Sequence, residues 1–423
     1  MERLVIRGGI PLKGKIRVSG AKNAVLKLMC AALLGNEPCC IRNVPRIKDV
    51  ETMCDVLRSL GAQVDWRGSS LRIEVLDKLD YTAPHELIKS MRASIQVMGP
   101  LLVRLGKVRV SLPGGCAIGD RPIDMHLLGL RALGARVWED QGYVYAQGER
   151  LEGAEIHLDY PSVGATENLM MAAAMARGRT IIQNAAMEPE IVESQEFLNQ
   201  MGARIRGAGT NQIEIDGVEE LGGADYQVIP DRVEAGSYML ATAITGGDLT
   251  IEGAVADHLG AVTHKLLEAG VELECLDGET IRVRRTDCVR PFHLRTRPYP
   301  GFPTDLQPQF VALATIAQGI SIITEEIYNN RLKHVAELRR MGADIVVEGQ
   351  TAIIRGVARL SGAVVSVPDL RAGAALVLAG LGAEGETVVE DVGHIDRGYE
   401  GIEQKLAGVG AQIRREGIEE RAC

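Results

Sequence analysis

A five-residue phrase, "LGAQV" at residues 60–64, returns five times with small changes, as "LGARV", "MGARI", "AGVEL", "MGADI" and "VGAQI". Its glycines, Gly61, Gly134, Gly202, Gly270, Gly342 and Gly410, lie 73, 68, 68, 72 and 68 residues apart. A second series, Gly35, Gly106, Gly178, Gly247, Gly319 and Gly385, lies upstream. Each member closes an Ala- and Leu-rich run and opens a β-rich one, as in "ARGRTIIQN". Two landmarks recurring in step restrict the chain to six copies of one unit. A period of about 70 residues exceeds the roughly 20–50 of solenoid repeats and fits a small α/β module. A chain of 423 residues is also too long for one ordinary core. The expectation is therefore two domains of three units each.

Within a copy the pattern reads helix, strand, helix, hairpin. Val25, Leu28, Met29, Ala32 and Leu33 follow the helical spacing, which predicts an amphipathic helix closed by Gly35. "CCIRNV" predicts a strand, and "DVETMCDVLRSLG" a second helix with Asp49 as N-cap and Gly61 after its end. "AQVDWRG" and "SLRIEVL" predict a hairpin. Aromatic residues make up only 4% of a chain that is 46% hydrophobic, so the cores must be aliphatic.

The repeat also aligns the unusual residues. The starts of first helices carry Lys22–Asn23, Arg92, Ser162 to Thr166, Asp231–Arg232, Asp305 and Asp369 to Arg371. The starts of second helices carry Lys48, Arg121, Glu190, Asp257–His258, Arg331 and Asp396–Arg397. Helix capping accounts for Asp49, Asp124 and Asp231. It does not account for the cations, because the helix dipole disfavours positive charge at an N-terminus by about 0.3–1 kcal/mol. An anion bound there would, since N-terminal amides and guanidinium forks both favour phosphate and carboxylate. The formal net charge of −9 argues against a nucleic-acid reader, so the cationic site must be local.

The second copy is the longest between landmarks, 28 residues from Gly106 to Gly134, and its excess is "PGGCAIGD". A thiol in such a glycine-rich loop is not a core residue, and Arg121 would lower its pKa on approach. By contrast, Cys30 and Cys54 sit in helical apolar patterns as small hydrophobes. The eight cysteines show no metal-type CxxC spacing, and no metal site is expected. The N-terminus lacks the apolar core of a signal peptide, and "LMMAAAMA" is too short to cross a bilayer. A soluble, reduced, cytoplasmic protein is expected.

"SGAKNAVL", "SMRASI", "LPGGCAIGDRPID", "SVGATEN", "EPEIV", "GFPTDLQPQF", "NRLKHVAELRRMGAD", "VPDLRAGAALVLAG" and "HIDRGYEGIEQKL" run the whole length in order. Together they resemble the UDP-N-acetylglucosamine 1-carboxyvinyltransferase family, the enolpyruvyl transferases that open peptidoglycan synthesis. The resemblance implies an inside-out α/β barrel of six βαβαββ repeats. Residues 21–229 would form one domain, with the cysteine loop 111–122, and residues 1–20 plus 230–423 the other, with the active site in the cleft between them. It implies phosphoenolpyruvate and UDP-N-acetylglucosamine as substrates, and no cofactor, nucleic acid, membrane or obligate protein partner. Matched position by position, Cys116 resembles the proton donor to phosphoenolpyruvate and the target of fosfomycin. Lys22, Arg121 and Arg397 resemble the clamp on its phosphate and carboxylate, with Asn23 and Arg331 beside them. Asp305 resembles the group that takes the proton of the sugar 3′-hydroxyl. Asn23, Arg92, Arg121, Pro122, Ile123, Asp124, Met125, Ser162, Val163, Gly164, Asp305 and Ile327 match positions holding the nucleotide sugar. Asp369 and Arg371 match further active-site positions. Asp120, where many relatives carry a small neutral residue, reads as a solvent-facing loop charge.

Two rival readings share the scaffold. A 5-enolpyruvylshikimate-3-phosphate synthase-like transferase normally lacks a loop cysteine and opens with a different lysine motif. A non-catalytic sugar-nucleotide sensor could lose Cys116 and Asp305, and both are present. A cysteine hydrolase lacks a histidine in a recognisable partner motif. An RNA 3′-phosphate cyclase-like reader fits an acidic chain poorly.

Overall fold

The computed structural model describes residues 2–76, 79–83, 91–112, 123–285 and 287–417, with residues 92–94 as backbone only. Those residues form two compact units. One contains residues 20–112 and 123–229; the other contains residues 2–19 and 230–417. Each has its own aliphatic core.

In the 20–229 unit, Glu155–His157 runs parallel to Arg179–Gln183, and the helix Val163–Ala173 connects them. The helix Pro189–Gln200 follows, and then the hairpin Arg204–Arg206 and Gln212–Asp216, whose second strand pairs antiparallel with Arg179–Gln183. A second sheet has the same strand order: Asp225–Gln227, Cys39–Arg42, Ser70–Glu74, Gln63–Arg67. A third has three described strands, Lys107–Ser111, Tyr143–Gln147 and Arg136–Asp140, plus a parallel bridge from Thr82 to Arg109.

The other unit repeats the order in three sheets. The first runs Lys13–Arg17, Asp248–Glu252, Thr280–Arg284, Glu272–Asp277. The second runs His293–Arg295, Ile320–Thr324, Thr351–Arg355, Asp344–Glu348. The third runs Val364–Ser366, Glu386–Glu390, Glu2–Arg7, Gln412–Gly417. Some slots are filled from distant sequence. Glu2–Arg7 completes a sheet made near the C-terminus, and Asp225–Gln227 pairs with Cys39–Arg42.

The two helix classes differ by burial. Lys48–Ser59 is amphipathic, with Val50, Met53, Cys54, Val56 and Leu57 buried and Asp55 exposed. Arg232–Thr245, Gln307–Ala314 and Leu370–Gly382 are buried on nearly every side and pack on one another. Small residues allow this approach: a Cβ on Gly382 would fall 2.5 Å from the Ile244 side chain. The first helix, Lys22–Ala31, belongs to this buried class, which corrects the amphipathic expectation. It passes into a tighter turn, Ala32–Leu34, before Gly35.

The repeated glycines have a backbone cause. Gly61, Gly134, Gly202, Gly270, Gly342 and Gly410 have φ between +86° and +109°, where a side chain is strained. Gly35 differs from that pattern, with φ −74°; a Cβ there would meet the Gly222 carbonyl at 2.6 Å. Capping also departs from expectation. Asp231 does accept from Val233 and Glu234 amides. Asp49 and Asp124 instead lie inside their helices, whose N-cap positions are Ile47 and Ile123. Among the described residues, no helix is long and apolar enough to cross a membrane.

The chain passes between units at residues 19–20 and 229–230. A buried carboxylate holds the last amide on each side. In one unit the Ser19 N–H donates to Glu234 Oε2 at 2.7 Å; in the other, the Ile229 N–H donates to Glu193 Oε1 at 2.8 Å.

Candidate active site

In the 20–229 unit, Lys22 is the first residue of its helix, and its Nζ lies 2.7 Å from Asp49 Oδ2 near the start of Lys48–Ser59. Both are buried. Asp49 is thus the counter-charge of Lys22 rather than a cap. Asn23 follows, half-buried, and its carbonyl accepts from Lys27 Nζ at 2.6 Å.

Ser162 caps Val163–Ala173 by accepting from the Ala165 amide at 3.3 Å. The next turn is tightly enclosed, since a Cβ on Gly164 would lie 3.2 Å from both Gln96 Nε2 and His126 Nε2. Gln96 donates to the Gly164 carbonyl at 3.0 Å. The His126 ring is 2.9 Å from Asn168 Nδ2, and Asn168 Oδ1 accepts from the Gly99 amide at 2.7 Å. Ile123 is buried, Met125 half-buried and Asp124 exposed at the start of Asp124–Ala132. Arg92 opens the short 3₁₀ helix Arg92–Val97. Cys116, Asp120, Arg121 and Pro122 lie outside the described residues.

In the other unit, the Thr304–Leu306 turn presents Asp305 to two arginines. Arg331 donates to Oδ1 at 3.1 Å, and Arg371 to Oδ2 at 2.8 Å. Both guanidinium groups are almost fully buried. Burial is the largest influence on Arg371 and lowers its pKa, but Asp305, Tyr399 and Asp231 together outweigh it and the net direction is upward. Asp369 caps Leu370–Gly382, with its Oδ1 accepting from the Arg371 and Ala372 amides. Burial pushes His334 down to about 4, so the ring is neutral near pH 7; its Nδ1 lies 3.2 Å from the Arg331 carbonyl.

This cluster is under-satisfied within the protein. Arg331 Nε, Asp369 Oδ2 and His334 Nε2 are buried without a hydrogen-bond partner. Buried polar atoms of that kind require an explanation, and a polar ligand supplies one. Ile327 is half-buried, and its amide donates to Glu325 Oε1 at 2.9 Å. Arg397 ends the 3₁₀ helix Val392–Arg397; Arg415 holds the neighbouring Asp396 at 2.7 Å.

The thiols separate by environment. Burial pushes Cys39 and Cys54 up to about 11, and Cys30 further still, so these three are unreactive near neutral pH. Cys275 and Cys288 are exposed. Among the described residues, no group of three His, Cys, Asp or Glu side chains is placed to hold a metal ion.

The family model for EPSP synthase (3-phosphoshikimate 1-carboxyvinyltransferase) matches residues 6–406. The chain belongs to this family. A UDP-N-acetylglucosamine 1-carboxyvinyltransferase 1 from Carboxydothermus hydrogenoformans is 52% identical over 421 residues, covering all of both chains. A UDP-N-acetylglucosamine 1-carboxyvinyltransferase from Trichlorobacter lovleyi is 52% identical over 98% of this chain and 99% of its own. Among solved structures, the enolpyruvyl transferase NikO from Streptomyces tendae aligns with a TM-score of 0.89 at 25% identity, over 98% of both chains. EPSP synthase from Acinetobacter baumannii aligns at 0.77 and 19% identity, over 99% of this chain and all of that one, a likeness of fold alone. The mixed α/β architecture is thus that of enolpyruvyl transferases.

Within that fold the structure joins Asp305, Arg331 and Arg371, residues that sequence reasoning set at the starts of three separate helices. It gives Lys22 and Asp49 to each other. Sequence reasoning missed Gln96, His126, Asn168, Glu325 and His334. Of these, Asn168 and His334 lie inside the quoted motifs "SVGATEN" and "NRLKHVAELRRMGAD", and His126 two residues after "DRPID", whereas Glu325 stands outside every one.

Proposed function

We propose that this chain transfers the enolpyruvyl group of phosphoenolpyruvate to the 3′-hydroxyl of UDP-N-acetylglucosamine, releasing phosphate, as the first committed step of peptidoglycan synthesis. The observation that carries this is end-to-end identity of 52% to proteins named for that transfer, covering all of both chains. The six sheets of common strand order support the finer reading of the fold as six βαβαββ repeats in an inside-out barrel, three per domain.

The chemistry follows from charge. A proton from Cys116 adds to C3 of phosphoenolpyruvate, which makes C2 electrophilic. The 3′-oxygen forms a bond to C2, and its proton passes to Asp305. The C2–O bond to phosphate then breaks as a proton returns from C3 to the Cys116 thiolate, which restores the double bond, and the proton on Asp305 leaves with the phosphate. Asp305 suits this role by its placement: two buried guanidinium groups orient its carboxylate, one on each oxygen. Lys22, Arg121, Arg331 and Arg397 steady phosphate and carboxylate, with Arg371 and Asp369 framing Asp305. Asn23, Arg92, residues 121–125, residues 162–164 and Ile327 receive the nucleotide sugar. The scheme activates substrate by protonation and fixed charge, and the cytoplasm is its proposed location.

Phosphate release from phosphoenolpyruvate tests the reading. Release is expected with UDP-N-acetylglucosamine and not with shikimate 3-phosphate. The reverse preference would transfer the chain to the shikimate-type reaction, and no release with either would leave the sensor reading.

A further inference from the structure

A fully buried carboxylate outside the proposed chemistry joins two site-bearing segments. Glu325 follows the strand Ile320–Thr324 and has no exposed surface. Its Oε1 accepts from Thr296 Oγ1 at 2.9 Å, the Ile327 amide at 2.9 Å and the Tyr328 amide at 3.1 Å. Its Oε2 accepts from Thr304 Oγ1 at 2.9 Å. Thr296 is fully buried, and its hydroxyl oxygen in turn accepts from the Glu326 amide at 2.8 Å. Four donors on one carboxylate offset the cost of its burial, which an unpaired carboxylate could not survive in charged form.

The placement matters because of the neighbours. Thr304 immediately precedes Asp305. Ile327 and Tyr328 begin the segment that ends at Arg331, the partner of Asp305 at 3.1 Å. That segment lines a cavity of about 240 Å³ with Arg331, Leu332 and Lys333. One carboxylate thus grips both ends of the loop pair that brings Asp305 and Arg331 together.

We propose that Glu325 is a positioning residue, fixing the Thr304–Leu306 turn against the 326–331 segment so that Asp305 meets the acceptor hydroxyl while Ile327 stays against the nucleotide sugar. This rests on the roles given above to Asp305 and Ile327. Displacing a reacting group by about 1 Å can cost roughly 100-fold in rate, so the effect belongs mainly in kcat.

Two isosteric variants separate the halves of the grip. Glu325→Gln keeps an oxygen for the Ile327 and Tyr328 amides but loses the charge, whereas Thr304→Val removes only the tie to the Asp305 turn. Steady-state kinetics with both substrates and thermal unfolding are measured on each variant, on wild type and on Asp305→Asn. Thr304→Val should lower kcat at least about 10-fold with the KM for UDP-N-acetylglucosamine unchanged. Glu325→Gln should lower kcat further and raise that KM. Should Glu325→Gln fail to fold, Thr304→Val alone decides by its kcat-against-KM split. Folded variants with lowered melting temperatures but wild-type kcat and KM would overturn the proposal, because a purely structural tie predicts that result. If wild type transfers the enolpyruvyl group and Asp305→Asn abolishes turnover, such a result refutes the positioning role alone. If wild type shows no transfer, the functional reading itself fails.

Discussion

Glu193 is 1% exposed, and burial raises its pKa to about 8, aided by the like charges of Glu190, Glu196 and Glu167 and opposed by the Ile229 amide. Burial first, and the charge of Glu193 second, also push the Tyr226 hydroxyl upward. The folded state thus holds a proton on Glu193 that the unfolded chain, with an ordinary value near 4.5, releases. The sign follows from linkage: stability is fully present below about pH 4.5 and declines as pH rises towards 8. Each pH unit in that window costs about 1.4 kcal/mol, so from pH 5.5 to 7.5 this group removes about 2–3 kcal/mol. Glu193→Gln cannot titrate, yet its carbonyl can still accept from Ile229, and its amide replaces Oε2, which has no partner within the protein. The variant should therefore gain about 2–3 kcal/mol relative to wild type between those two pH values, whatever constant offset it carries. The chain has two tryptophans, Trp66 and Trp138, both in the unit that holds Glu193. Denaturant titrations followed by tryptophan fluorescence consequently report on that unit. Wild-type and variant stabilities running parallel across pH 5.5–7.5 would refute the reasoning.

Cys116→Ser should lower turnover about 100- to 10,000-fold, the usual range for a lost general acid, with nucleotide-sugar affinity nearly unchanged by calorimetry; a wild-type rate would reject the acid role. Gly342→Ala should destabilise by about 1–2 kcal/mol, because φ is +89° and a Cβ would meet nothing within 4 Å. A loss beyond about 4 kcal/mol in denaturant melts would point to packing rather than backbone strain.

The fold was legible where a local rule repeats. Six glycines with positive φ mark one turn six times, and Asp231 shows its helix start through its own carboxylate. Reading failed where a partner lies far along the chain. Nothing near Asp49 announces Lys22, so a first-turn acid reads as a cap until its counter-ion is seen at 2.7 Å. The helix Lys22–Ala31 reads as amphipathic because Val25, Leu28, Met29, Ala32 and Leu33 follow the helical spacing, which leaves Lys27 off that face. Lys27 is instead buried, 3.0 Å from the fully buried Glu167, whose own pKa burial raises to about 7. Glu2–Arg7 carries an ordinary strand pattern, but only pairing shows that its partners are Glu386–Glu390 and Gln412–Gly417. At the site, residue types were readable and pairings were not. Arg331 and Arg371 stand 26 and 66 residues beyond Asp305 and converge on its two oxygens.

Those pairings bear on why cations stand at helix starts at all. A positive charge there works against the helix dipole, and the sequence supplies a bound anion as the reason. The structure adds carboxylates of the protein itself: Asp49 for Lys22, Asp305 for Arg331 and Arg371. The two accounts are compatible because a guanidinium group carries five N–H donors. Asp305 takes one from each arginine and thereby fixes their orientation, while Arg331 Nε stays buried without a partner. A long, flexible cation held by one carboxylate has already lost much of its rotamer freedom, so less entropy is left to lose when it meets a second anion. The internal carboxylates thus do not compete away the anion site. In the proposed reaction they hold its cations in place before an anion arrives.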